Sequence, residues 1–113
     1  MAGGQLGPTA VRRGEIWLAE LDKPRPVVVL TRDPLGRLLH SVIVGPVTST
    51  VRGLNTEVDL SETDGIGKPS VVNLDNLQLV PRERLVRRVG KVTPTTLRAI
   101  CAAAAEAMGC PEA

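Results

Sequence analysis

Arg25-Pro26-Val27-Val28-Val29-Leu30 and Val42-Ile43-Val44-Gly45-Pro46-Val47-Thr48-Ser49-Thr50 are the two stretches on which the fold turns. Each is an apolar, largely β-branched run, which fits a buried strand. The first begins with a guanidinium and the second ends in three hydroxyls. Two buried strands with such ends place one rigid cation and several short hydrogen-bonding groups at a domain surface. That combination suits a phosphodiester.

Working outward, Glu15 to Leu21 alternates as a first strand, with Ile16 and Leu18 on one face and Trp17, Ala19 and Leu21 on the other. Asp22-Lys23-Pro24 is a tight connection, and Val27 to Thr31 is a central strand. Asp33-Pro34-Leu35-Gly36 reads as a turn, and Leu39 to Val47 as the third strand. Thr56 to Leu60 alternates with Val58 and Leu60 inward. Ser70 to Leu74 and Leu77 to Val80 are short strands around Asp75-Asn76, and Pro81 to Leu85 fits one helical turn. A long helix follows: Thr93 caps it, Pro94 takes its first position and Gly109 ends it. Its apolar stripe is Leu97, Ile100, Cys101, Ala104 and Met108. Five or six short strands and a terminal helix predict a mainly β (α+β) domain, a small bent barrel with the helix packed on it.

Bulk properties agree with one folded domain. The chain has 113 residues, 42% hydrophobic and 23% charged. Residues 1–10, rich in Gly, are expected to be a flexible tail, and 11–113 a single domain. Trp17 is the only aromatic residue, so the core must come from Val, Leu, Ile and Ala. Net charge is only +2. Charge is segregated, however, into a basic run (Arg82, Arg84, Arg87, Arg88, Lys91) and an acidic one (Glu57, Asp59, Glu62, Asp64). These are either a polyanion patch and its counterpart or two solvated stretches. Cys101 and Cys110 match no zinc or redox spacing and are read as free thiols. No run approaches the ~18 apolar residues of a membrane span, and no signal peptide is legible. The expected location is therefore cytoplasmic, without membrane association.

Arg13-Gly14-Glu15-Ile16-Trp17, Arg25-Pro26-Val27-Val28-Val29, Pro46-Val47-Thr48-Ser49 and Ser70-Val71-Val72-Asn73-Leu74-Asp75-Asn76 occur in that order. Together they resemble the MazF/PemK (Kid) family of toxin endoribonucleases, over roughly Arg12 to Met108. The resemblance implies an SH3-like β-barrel of the CcdB/PemK type with a C-terminal helix. It also implies a type II toxin that cuts single-stranded RNA (mRNA, tRNA or rRNA) sequence-selectively, inhibiting translation and growth. A homodimer neutralised by a cognate MazE-like antitoxin is implied as well. On the family pattern Arg25 and Thr48 fall at the principal catalytic positions.

RNA cleavage without a metal uses the 2′-OH as nucleophile and leaves a 2′,3′-cyclic phosphate and a 5′-OH. The protein must move two protons and stabilise charge at phosphorus. Arg25 suits the charge, through paired planar donors, and Thr48 can hydrogen-bond a non-bridging oxygen. Glu20, Asp75 and Ser49 are candidate supporting groups; for Asp75 the plainer alternative is an Asx turn closing a hairpin. Lys23, Thr50, Asn73 and Asn76 are candidate RNA contacts. His40 has no second histidine to pair with as acid and base. No clustered carboxylates or His/Glu spacing calls for a metal, so no cofactor is expected. One departure from the family stands out. Leu21-Asp22-Lys23-Pro24 replaces a longer Gly-rich connection with its own acidic residue, leaving Glu20 or Asp22 to serve instead. Two rivals share the barrel: a CcdB-like toxin that poisons a protein such as DNA gyrase, and a non-catalytic RNA-binding barrel.

Overall fold

A computed structural model describes residues 11–33, 35, 39–60 and 65–109. The expected N-terminal tail, Pro34 and Gly36 of the expected turn, Glu62, Asp64 and Cys110 lie outside these. Among the described residues seven strands precede one helix: β1 (Glu15–Glu20), β2 (Pro24–Val29), β3 (Ser41–Thr48), β4 (Glu57–Leu60), β5 (Ser70–Asn73), β6 (Gln78–Pro81), β7 (Leu85–Lys91) and α1 (Pro94–Ala107). Single 3₁₀ turns cover Leu74–Asn76 and Arg82–Arg84, the second within the predicted helical turn.

All pairings are antiparallel, in the order β4-β5-β3-β2-β1-β7, with β6 also on β3. The sheet bends like a barrel, but no ladder joins β6 to β7, so it is not closed. β3 changes partner along its length. Ser41 to Val44 pair with β6, and Val47 and Thr48 with β5. Gly45 and Pro46 occupy the changeover. A β-carbon on Gly45 would lie 2.9 Å from Val72 Cγ2, so glycine is what lets β5 cross β3 this closely. Pro46 has no N–H to leave unpaired there.

The second half of β2, Val27 to Val29, is buried on both faces. Val28 belongs to one apolar cluster with Ile16, Val47, Val72, Leu74 and Ile100; Val27 and Val29 belong to another with Ala19, Val42, Val44, Val80 and Leu85. This explains why Val27-Val28-Val29 shows no alternation. α1 covers the first cluster with Ile100 and Ala103, and Leu97, Ala104 and Ala107 pack beside them. Full burial of Ile100 contributes about 1.5–3 kcal/mol. Thr93 caps α1 as predicted, its Oγ1 accepting from Thr96 N–H at 3.1 Å.

Three expectations need correction. The count of five or six strands omitted β7, in the basic run, where only Leu85 is buried. β2 begins at Pro24, so Arg25 lies within the strand rather than ahead of it. The helix stripe is rotated: Met108 is 64% exposed and Cys101 half-buried, while Ala103 is buried. Alanines let α1 settle closely on its flatter side.

Trp17 packs at the margin of the second cluster. Its indole N–H donates to Glu15 Oε1 at 3.0 Å; that carboxylate also accepts from Arg12 N–H at 2.9 Å and from Arg88 Nη1 at 2.9 Å. Glu15 is a buried charge with every oxygen engaged, which is how such a group is tolerated.

Candidate active site

Leu30 N–H donates to Ile43 C=O across β2 and β3 at 2.8 Å. Even-numbered residues of β2 therefore turn their backbone polar groups toward β3. Two of them, Pro24 and Pro26, have no N–H to give. The ladder's last pair is Val27 with Pro46. Beyond it the strands part, and a groove of about 560 Å³ opens at this end of the sheet.

Continuing that register two residues brings Arg25 opposite Thr48. Directly opposed residues of an antiparallel pair share a face, and both side chains line the groove. Arg25 is tethered at one atom only: Nε lies 3.3 Å from Asp22 Oδ1, which also accepts Lys23 N–H at 2.9 Å. The Arg25 guanidinium, then the Lys23 amide, hold the Asp22 carboxyl below the usual carboxylate range. The two Nη groups of Arg25 make no hydrogen bond or ion pair with other described residues, leaving a fork suited to two phosphate oxygens. Thr48 Oγ1 accepts Thr50 N–H at 3.0 Å, a local turn that fixes the hydroxyl. Its own O–H stays available to donate.

The 3₁₀ turn after β5 completes the groove. Asn73, buried at the end of β5, accepts Asp75 N–H through Oδ1 at 2.9 Å and so caps that turn. Asp75 Oδ2 accepts a hydrogen bond from the hydroxyl of Thr56. The Asx-type turn foreseen for this segment is thus present, but Asn73 makes it. Asn76 and Gln78 face the groove and are exposed. Among the described residues Asp75 is the single carboxylate along this lining, and Thr56 engages it.

Of the residues singled out from sequence, the groove gathers Arg25, Thr48, Thr50, Asn73, Asp75 and Asn76. Glu20, Lys23 and Ser49 are exposed but do not line it, and the carboxylate on Arg25 is that of Asp22, not Glu20. Arg84 Nη1 instead takes the Glu20 carbonyl at 3.2 Å. Two groove residues escaped the sequence reading, Arg52 and Gln78. Arg52 lies in the loop before β4, where no motif marks it. Its signal was Glu57, whose carboxylate collects the amides of that loop.

Residues 12–108 match the family described as PemK-like, MazF-like toxin of type II toxin-antitoxin system. The chain is 48% identical over 75 residues to endoribonuclease MazF3 of Mycobacterium tuberculosis, covering 66% of this chain and 73% of that one. Among solved structures it is similar to the Mycobacterium tuberculosis toxin MazF-mt6, at 40% identity and a TM-score of 0.83, covering 87% of this chain and 99% of that one. It is also similar to an endoribonuclease in complex with its cognate antitoxin from a mycobacterial species, at 28% identity and a TM-score of 0.84. That match covers 92% of this chain and 100% of the other.

Proposed function

The chain belongs to the PemK-like, MazF-like toxin family, whose named relatives are endoribonucleases, and from that premise we propose how it cuts RNA. It is an endoribonuclease toxin that takes single-stranded RNA into the groove between β2 and β3 and cleaves it sequence-selectively, without a metal. The observation that carries this reading is Arg25 opposed to Thr48, with the Nη fork of Arg25 unengaged.

In the reaction the 2′-oxygen bonds to phosphorus as the bond from phosphorus to the 5′-oxygen breaks. The 2′ proton leaves to a base and the 5′-oxygen gains one. Arg25 meets the charge that builds on the non-bridging oxygens, where preorganised donors act most strongly. The Thr48 hydroxyl donates to one of them. A two-metal mechanism needs several carboxylates around the phosphate, and among the described residues the groove lining offers Asp75 alone, already bonded to Thr56. Asn76 and Gln78 carry both donors and acceptors, as reading base edges requires.

The protein acts in the cytoplasm, where cutting messenger, transfer or ribosomal RNA halts translation and growth. It works as a homodimer. Ile43, Leu79 and Leu39 are 44%, 69% and 43% exposed and border an apolar depression with Leu30 and Leu35. Such a surface favours a second copy. A cognate antitoxin is the other partner, as in the similar mycobacterial complex.

The decisive experiment uses an RNA oligonucleotide containing the mapped cut site, with one 2′-deoxy nucleotide on its 5′ side. The unmodified RNA is cut in excess EDTA, leaving a 2′,3′-cyclic phosphate and a 5′-OH. The substituted RNA binds but stays intact. Cleavage of the substituted RNA, or loss of activity in EDTA with recovery in Mg²⁺, overturns the mechanism.

A further inference from the structure

The loop between β3 and β4 is held by a carboxylate rather than by apolar packing. Glu57, the first residue of β4, accepts three successive backbone N–H groups. Arg52 N–H lies 3.1 and 3.2 Å from its two oxygens, Gly53 N–H 2.9 Å and Leu54 N–H 3.2 Å from Oε1. Gly53 makes the convergence possible with a φ of +79°, where a side chain is disfavoured. Val51 and Leu54 are 58% and 45% exposed, so apolar burial does little to fix the stretch from 51 to 54. Glu57 itself is anchored, because it pairs in register with the buried Asn73 of β5.

This arrangement carries Arg52 to the groove that holds Arg25. The Arg52 side chain is exposed and has no ion-pair partner among the described residues. An unneutralised guanidinium beside a groove with one engaged carboxylate seeks an anion. We infer that Arg52 is a second cation for the RNA backbone, gripping a phosphate other than the one that reacts, and that Glu57 is its positioning residue. This rests on the groove's being the RNA site. The two arginines then divide the work: Arg25 acts at the scissile phosphate, and Arg52 binds substrate and transition state alike.

The test uses the RNA carrying 2′-deoxy at the cut site as a non-cleavable ligand, and its unmodified twin as substrate. Arg52→Ala weakens binding roughly 5- to 10-fold, the size of one net hydrogen bond, and raises KM with kcat nearly unchanged. The plot of log K against log salt loses about 0.7 of slope, the share of one phosphate contact on a single strand. Arg52→Lys keeps most of that slope. Glu57→Ala reproduces the Arg52→Ala phenotype, and the double variant is no worse than Arg52→Ala alone. Should Glu57→Ala fold poorly, Glu57→Gln, which keeps an acceptor, gives a smaller loss in the same direction and equally none in the Arg52→Ala background. An unchanged salt slope in Arg52→Ala removes the contact. A Glu57 effect that persists in full without Arg52 shows that the carboxylate serves the fold only. If the wild-type protein neither binds nor cuts RNA, the proposed function fails instead.

Discussion

Arg25 on β2 and Thr48 on β3 stand opposite one another where two prolines end the ladder between their strands, and both line the same groove. The pair is held from behind by buried valines in different apolar clusters: Val27, two residues past Arg25, and Val47, next to Thr48. Buried neighbours fix the backbone from which the guanidinium and the hydroxyl start, which lowers the cost of bringing the two groups to one phosphate.

Removing the guanidinium is the severest test of the site. Arg25→Ala is expected to lower the cleavage rate by about 10²–10³, the usual cost of losing one preorganised donor to developing charge. Growth inhibition should disappear with it. Arg25→Lys should remain poor, since an ammonium cannot make the paired contact. Circular dichroism should be that of the wild type, because Arg25 is exposed.

Asp22 offers a pH-dependent counterpart. Its carboxyl is held below the ordinary range by Arg25 first and by the Lys23 amide second. A folded value below the unfolded one means that the tether is complete at neutral pH. It is lost as the pH falls through the folded value, on the acid side of the usual carboxylate range. Asp22→Asn should reduce kcat by less than Arg25→Ala does, and should flatten the acid limb of the kcat profile. A variant whose acid limb matches the wild type would separate Asp22 from catalysis.

Glu15 is a purely structural prediction. Glu15→Ala leaves Arg12 N–H and Trp17 Nε1 without their acceptor and breaks the contact to Arg88. Each part-buried donor left unpaired costs about 1–3 kcal/mol, although exposure of Arg88 lets that side chain rehydrate. The urea midpoint should fall with little change in m-value, and Glu15→Gln should recover part of the loss.

Gly45→Ala should destabilise by about 1–3 kcal/mol through overpacking, because its β-carbon meets Val72 at 2.9 Å. The rescue is specific. Val72→Ala in the same chain removes the obstructing methyl, so the double variant should be more stable than the two single losses added together.

What sequence could show here depended on how local each signal was. The Val27-Val28-Val29 run, the Thr93-Pro94 cap and the Arg25 and Thr48 strand ends declare themselves within a few residues. β7 does not, because Leu85-Val86-Arg87-Arg88-Val89 is an edge strand with one buried side chain and irregular register against β1. Its charges looked like a solvated run, which is how edges are commonly guarded. Asp22 and Glu20 were indistinguishable as partners of Arg25, since only the hairpin's path decides between them. Arg52 was hidden for another reason: backbone amides gathered by Glu57 place it, and one glutamate within an acidic run is a faint signal.

The doubly buried half of β2 has one more consequence, which concerns inheritance. Arg25 and Thr48 are rooted in strands that cannot change without disturbing a core. Asn76, Gln78 and Arg52, by contrast, are exposed and lie outside both apolar clusters. Substitutions at those rim positions leave both apolar clusters untouched, so under the function proposed above duplicated copies of such a gene could diverge in the RNA they prefer while keeping one cutting chemistry.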